Sequence, residues 1–130
     1  ESLKERNPDW DVVLLPVFQA AHELVPVYIN ASDVLLLTSR YEGAPTVIKE
    51  TIACQVPIVS VDVGDVRSRI SMIDGCSVCS DQNIQCLIDG LEKAIHLNGK
   101  TNPPSLLLSE LDERNNVRRL IDVYNELLSE

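Results

Sequence analysis

The sequence predicts an α/β domain, a doubly wound parallel sheet with helices on both faces. Three observations lead there. The apolar runs at 34–37 (Val-Leu-Leu-Leu) and 57–61 (Pro-Ile-Val-Ser-Val) are continuous rather than alternating, as in strands buried on both sides. The segments between and after them carry apolar residues at helical spacing. The two kinds alternate along the chain, which requires right-handed crossovers between parallel strands. With 130 residues the chain is read as a single domain, 1–130, enough for one core and not for two.

In order, residues 12–15 (Val-Val-Leu-Leu) read as a first short strand stopped by Pro16. Residues 22–30 read as a short helix interrupted by Pro26, and 34–37 as a buried strand. A helix follows over 45–54, then the strand 57–61, a short helix over 65–70 and a small strand near 76–79. Leu87, Ile88, Leu91, Ala94 and Ile95 recur at helical spacing and predict an amphipathic helix over 81–97, stopped by Asn98-Gly99. Residues 100–105, with Pro103-Pro104, read as a loop. A closing helix over 112–128 gathers Val117, Leu120, Ile121, Tyr124, Leu127 and Leu128 on one face. There is no internal repeat and no low-complexity segment.

Composition removes several functions. Twenty acidic residues against eleven basic ones give a formal net charge of −9, the wrong sign for a nucleic-acid surface or for docking to anionic lipid. No apolar run approaches the ~20 residues of a membrane span. The first residues, Glu-Ser-Leu-Lys-Glu-Arg, lack the apolar core of a secretory signal and an initiator Met, so a cytoplasmic piece of a longer protein is expected. Cys54, Cys76, Cys79 and Cys86 sit among apolar residues and read as free buried thiols. Cys76 and Cys79 have the spacing of a metal or redox pair, but residues three apart on a strand face opposite ways, so no metal site is expected.

In doubly wound sheets ligands sit beyond the carboxyl ends of the strands, which singles out loops 38–44 and 62–66. The first runs Thr-Ser-Arg-Tyr-Glu-Gly-Ala before Pro45. Pro45 suits the first helical position, placing Ala44 at the N-cap without a side-chain acceptor. The amides of Thr46 and Val47 then lack a local partner, and bare amides at the positive end of a helix attract anions or bind water. Glu42 precedes this helix, and Glu50 lies within it among Val47, Ile48, Thr51 and Ile52. A carboxylate near an apolar seam needs a partner such as a sugar hydroxyl, unless it is an ordinary exposed helix Glu. His22, before its own short helix, reads as a capping or packing residue. His96 reads as solvent-facing at a helix end.

Residues 42–50, Glu-Gly-Ala-Pro-Thr-Val-Ile-Lys-Glu, hold two glutamates with seven residues between them. With Ala-Ser-Asp-Val-Leu-Leu-Leu-Thr-Ser upstream and the run from Thr51 through Val66 downstream, this stretch resembles the C-terminal donor-binding domain of retaining GT-B glycosyltransferases of the family-4, group 1 type. The likeness runs from about His22 to Leu97, and the closing helix with Val123-Tyr124 is similar to the family's ending. A lone E-x7-E is weak, but set in strand–loop–helix–Pro–strand–Val-Gly it is fairly specific.

The resemblance implies the Rossmann-like C-terminal half of a GT-B fold and a hexosyltransferase acting with retention. Glu42 would stabilise positive charge developing at the donor's anomeric carbon. The amides of Gly43 and Ala44 would face sugar hydroxyls, those of Thr46 and Val47 the diphosphate, and Glu50 would accept from the ribose. The donor would be a nucleotide-diphosphate sugar, and the acceptor a saccharide or lipid-linked saccharide held by a separate N-terminal lobe. That lobe could bring the protein to the inner face of a membrane. No metal and no other cofactor is implied. The chain departs from the pattern at Gln55, where Gly is frequent, and at Ala44-Pro45, where an aromatic-Gly pair is frequent. The basic residues that grip the diphosphate in this family would lie upstream, and none of Arg40, Arg67 and Arg69 is assigned that role. A dinucleotide-binding oxidoreductase domain is disfavoured by five glycines and no G-x-G-x-x-G. A non-catalytic Rossmann-like nucleotide-binding or interaction module is the remaining alternative.

Overall fold

A computed structural model describes residues 2–129. Its sheet has three parallel strands, β1 (Leu35–Leu37), β2 (Ile58–Val61) and β3 (Ser77–Cys79), in the order β1-β2-β3. Leu36 pairs with Val59, and Ser60 with Val78. Helices α1 (Leu3–Arg6) and α2 (Val25–Asn30) precede the sheet. Helix α3 (Thr46–Cys54) connects β1 to β2, and α4 (Val66–Ile70) connects β2 to β3. Then come α5 (Ile84–His96), α6 (Ser105–Leu111) and α7 (Glu113–Leu128).

Successive residues of β2 point to opposite faces, and both faces are covered. Ile58 joins Ile48 and Ile52 of α3, Val66 and Ile70 of α4, Ile73 and Cys76 in one buried cluster. Val59 faces α5 on the other side, where Gly90 comes so near that a Cβ there would stand 3.0 Å from Val59 Cγ1 and 3.1 Å from Ser77 Cβ. The expected α/β class, with a parallel sheet between helices, is therefore observed. β2 is buried along its whole length, as a central strand should be. β1 is only half-buried, because it stands at the sheet edge rather than in its middle.

Several local expectations are corrected. Residues 12–15 form no strand. Val13, Leu14 and Leu15 are exposed, and no backbone hydrogen bond ties them to the sheet among the described residues. An apolar run supplies strand propensity but not a neighbour to pair with. Pro26 interrupts nothing: a 3₁₀ turn (His22–Leu24) leads into α2, and Pro26 lies in the first turn of α2, where a missing N–H costs little. The helix expected from residue 81 starts later, at Ile84, because Asn83 caps it by accepting from the Cys86 N–H at 3.1 Å.

Residues 105–111 are helical, starting on the last residue of the expected loop, and Leu107, Leu108 and Leu111 of α6 pack against the α3 cluster. α7 is present with Asp112 as its cap, yet its apolar face stays in solvent, with Val117, Leu120, Ile121 and Tyr124 each at least half exposed. Cys79 and Cys86 form a disulfide between the end of β3 and the first turn of α5, correcting the reading of four free thiols. Cys54 and Cys76 remain free, and burial pushes the Cys76 thiol up, which keeps it unreactive. Cys76 joins the cluster under α3 and α4, whereas Cys79 bonds across to α5, so the two face opposite sides.

Gln55 closes α3 in the left-handed conformation, φ 60° and ψ 28°. A side chain is disfavoured there and glycine is not. Gln55→Gly is expected to stabilise the chain by about 0.5–1 kcal/mol, read as a higher urea midpoint. A lower midpoint would show that the Gln55 side chain contributes more than its backbone strain costs.

Candidate functional site

The candidate site lies where the loops after β1 and β2 meet. Pro45, not Ala44, is the N-cap of α3: its φ is helical at −61°, but its ψ of 120° is extended. The helix thus starts one residue later than expected, with the same outcome for its amides. Pro45 has no acceptor side chain, and α3 has no side-chain cap. The Ile48 N–H bonds to the Pro45 carbonyl at 3.1 Å. The amides of Thr46, which is exposed, and Val47, half-buried, are left at the positive end of the helix.

The loop before it is held from one side. The Asp65 N–H donates to the Gly43 carbonyl at 3.1 Å. The peptide bond between Gly43 and Ala44 is trans, so the Ala44 N–H points away from the 62–66 loop. The Glu42 carbonyl also lies against Gly64, which turns the Gly43 N–H the same way. Gly43 and Ala44 are exposed, and nothing stands within 4 Å of where a Gly43 Cβ would be. Two loop amides and the bare start of α3 are therefore available to acceptors from outside the loop.

The two carboxylates differ in setting. Glu42 is exposed and makes no hydrogen bond or ion pair among the described residues. The Glu50 side chain is 20% exposed, and His22 lies beside it, with Nδ1 3.6 Å from Oε1. That is too long for a hydrogen bond, so Glu50 keeps its acceptor capacity. His22 is 87% exposed, and Ala21 rather than His22 stands at the cap of the 3₁₀ turn, which corrects the reading of His22 as a capping or packing residue. Sequence separation hid this contact; only the packing of α2 on α3 brings His22 to Glu50. His96 is exposed as expected, but its ring packs at a tilt of 55° against Trp10, with ring centroids 5.3 Å apart.

The nearby cations are sorted by their partners. Arg67 Nε donates to Asp62 Oδ2 at 2.7 Å, and Arg69 Nε to Asp65 Oδ2 at 2.6 Å. Arg40 makes no ion pair among the described residues. Gln82, which the sequence did not single out, donates from Nε2 to the Thr38 carbonyl at 3.0 Å. Its signal was positional, since the loop after β3 also opens at the carboxyl end of the sheet. No group of three His, Cys, Asp or Glu residues able to hold a metal occurs among the described residues. No helix among them is long and apolar enough to cross a membrane.

Comparison with known proteins points to one family. The family model described as "Glycosyl transferases group 1" matches residues 9–106. A Bacillus subtilis (strain 168) protein named "Putative teichuronic acid biosynthesis glycosyltransferase TuaC" is 42% identical over 50 residues. That match covers 38% of this chain and 13% of the relative. No solved structure matches the chain.

Proposed function

The chain belongs to the group 1 glycosyltransferases, and from that premise we propose that it is the donor-binding lobe of an enzyme transferring a sugar from a nucleotide-diphosphate sugar. One observation carries the reading. The uncapped start of α3 is bracketed by two carboxylates that make no hydrogen bond among the described residues. Thr46 and Val47 amides meet the diphosphate, and Gly43 and Ala44 amides meet the sugar hydroxyls. Glu50 accepts from the ribose. Glu42 faces the anomeric carbon and stabilises the positive charge that develops there. Fixed amides and carboxylates of this kind lower the barrier because they need no reorganisation during the reaction. Transfer proceeds with retention and without a metal, and the acceptor, a saccharide or lipid-linked saccharide, is held by a second lobe.

Ligand-observed NMR with UDP, GDP and NAD tests the donor assignment on the chain itself. Transfer signals from UDP or GDP but not from NAD support it, and signals from none reject it. In the intact transferase, Glu50→Ala is expected to weaken nucleotide binding by about 1.5–3 kcal/mol for each charge-assisted hydrogen bond lost. Unchanged donor affinity in that variant rejects the ribose role.

A further inference from the structure

We propose that Gly64 is a positioning residue for the donor loop: its missing side chain lets the loop after β2 seat directly on the Glu42–Gly43 backbone and hold it in place. The inference rests on the donor-site reading above and adds to it the element that sets the site's shape. Gly64 has φ +54°, a conformation that L side chains rarely adopt. A Cβ there would overlap the Gly43 carbonyl oxygen and carbon and come within 2.9 Å of the Glu42 carbonyl oxygen. These obstacles are backbone atoms, so no rotamer change relieves the clash; one of the two loops has to move.

The seat is anchored from behind. Asp65, which follows Gly64, gives its N–H to the Gly43 carbonyl at 3.1 Å and fixes its own carboxylate on Arg69 Nε at 2.6 Å. Moving the Gly64 loop away breaks the bond to Gly43 and frees the 43–44 peptide to rotate. The Ala44 N–H then no longer faces a fixed direction. The catalytic and donor-binding groups are untouched by the substitution; only their orientation changes.

Amide hydrogen exchange and ¹H–¹⁵N spectra of the whole chain read this directly. In the unmodified chain the Asp65 N–H is expected to exchange at least tenfold more slowly than an open amide, and unprotected exchange overturns the proposal without any variant. In Gly64→Ala the Asp65 protection is expected to fall tenfold or more, with shifted Gly43 and Ala44 resonances, while protection across Ile58–Val61 stays. Gly99→Ala, whose added Cβ would meet the Leu97 carbonyl oxygen at an ordinary 3.9 Å, is the control and leaves all of these unchanged. Should Gly64→Ala fail to fold, Arg69→Gln loosens the anchor and is expected to lower Asp65 protection alone. Unchanged Asp65 protection in a folded Gly64→Ala overturns the proposal.

A titration with UDP and GDP separates this from the donor reading. A responding loop in Gly64→Ala with an unmodified chain that binds neither nucleotide leaves the positioning role standing and removes the donor reading. Nucleotide binding weakened about tenfold in Gly64→Ala, and unchanged in Gly99→Ala, supports both. Where the unmodified chain binds a nucleotide, equally tight binding by Gly64→Ala overturns the positioning role.

Discussion

Glu42→Gln is expected to slow sugar transfer in the intact enzyme by about 10²–10³-fold while leaving donor affinity nearly unchanged. The substitution keeps the shape of the side chain and removes its charge. A carboxylate about 4 Å from a full positive charge contributes ~4 kcal/mol at an effective dielectric of ~20. The charge at the anomeric carbon is only partly developed in the transition state and absent in the bound donor. The loss therefore falls on turnover, and each ~1.4 kcal/mol is tenfold in rate. Glu42 is exposed and has no hydrogen-bond or ion-pair partner among the described residues, so its neutralisation leaves no buried group unpaired. Steady-state kinetics at saturating acceptor, with kcat and donor KM measured separately, decide it. Normal turnover removes Glu42 from the chemistry, and a raised KM with normal kcat makes it a binding residue instead.

The second large effect concerns stability. Ile58→Ala is expected to destabilise the chain by about 2–5 kcal/mol. Ile58 is fully buried on the central strand and touches the side chains that α3 and α4 send onto that face of the sheet. Neighbours on two helices and a strand cannot all relax into the space, so the lost transfer energy and the cavity add. Against a typical total of 5–15 kcal/mol this approaches unfolding. Urea denaturation should show a lower midpoint with an unchanged slope. A loss under about 1 kcal/mol would mean the site collapses freely, contrary to close packing.

The central part of the fold was legible because its signals are local and agree with one another. Ile58–Val61 reads as a buried strand, and Pro57 marks its start. The α5 face reads from Ile88 and Ala94, which are buried as the periodicity requires. Gln55 was recognised as a helix end lacking its usual glycine, and its positive φ follows. What stayed hidden depends on partners. Val12 to Leu15 have strand propensity but no adjoining strand, and propensity cannot supply one. The Pro45 ring fixes φ in either of two capping positions, whereas ψ decides between them, and ψ is set by the loop.

The candidate site divides along the same line. Glu42, Glu50 and the bare helix start follow from spacing along one loop and one helix. His22 beside Glu50, Gln82 on the Thr38 carbonyl and Asp65 on Gly43 join segments far apart in the chain. The cysteines show the same limit. Spacing drew attention to Cys76 with Cys79, but a strand turning into a helix brings Cys79 to Cys86.

Helix α7 buries none of its residues and packs chiefly on α6. Its order is therefore a local helix–coil equilibrium, weakly coupled to the sheet. Sixteen residues can fray and re-form while Ile58 and its neighbours stay closed. A melting curve followed by helical signal would begin to slope before the sheet gives way. The cooperative unit that a two-state fit describes ends before the last helix begins.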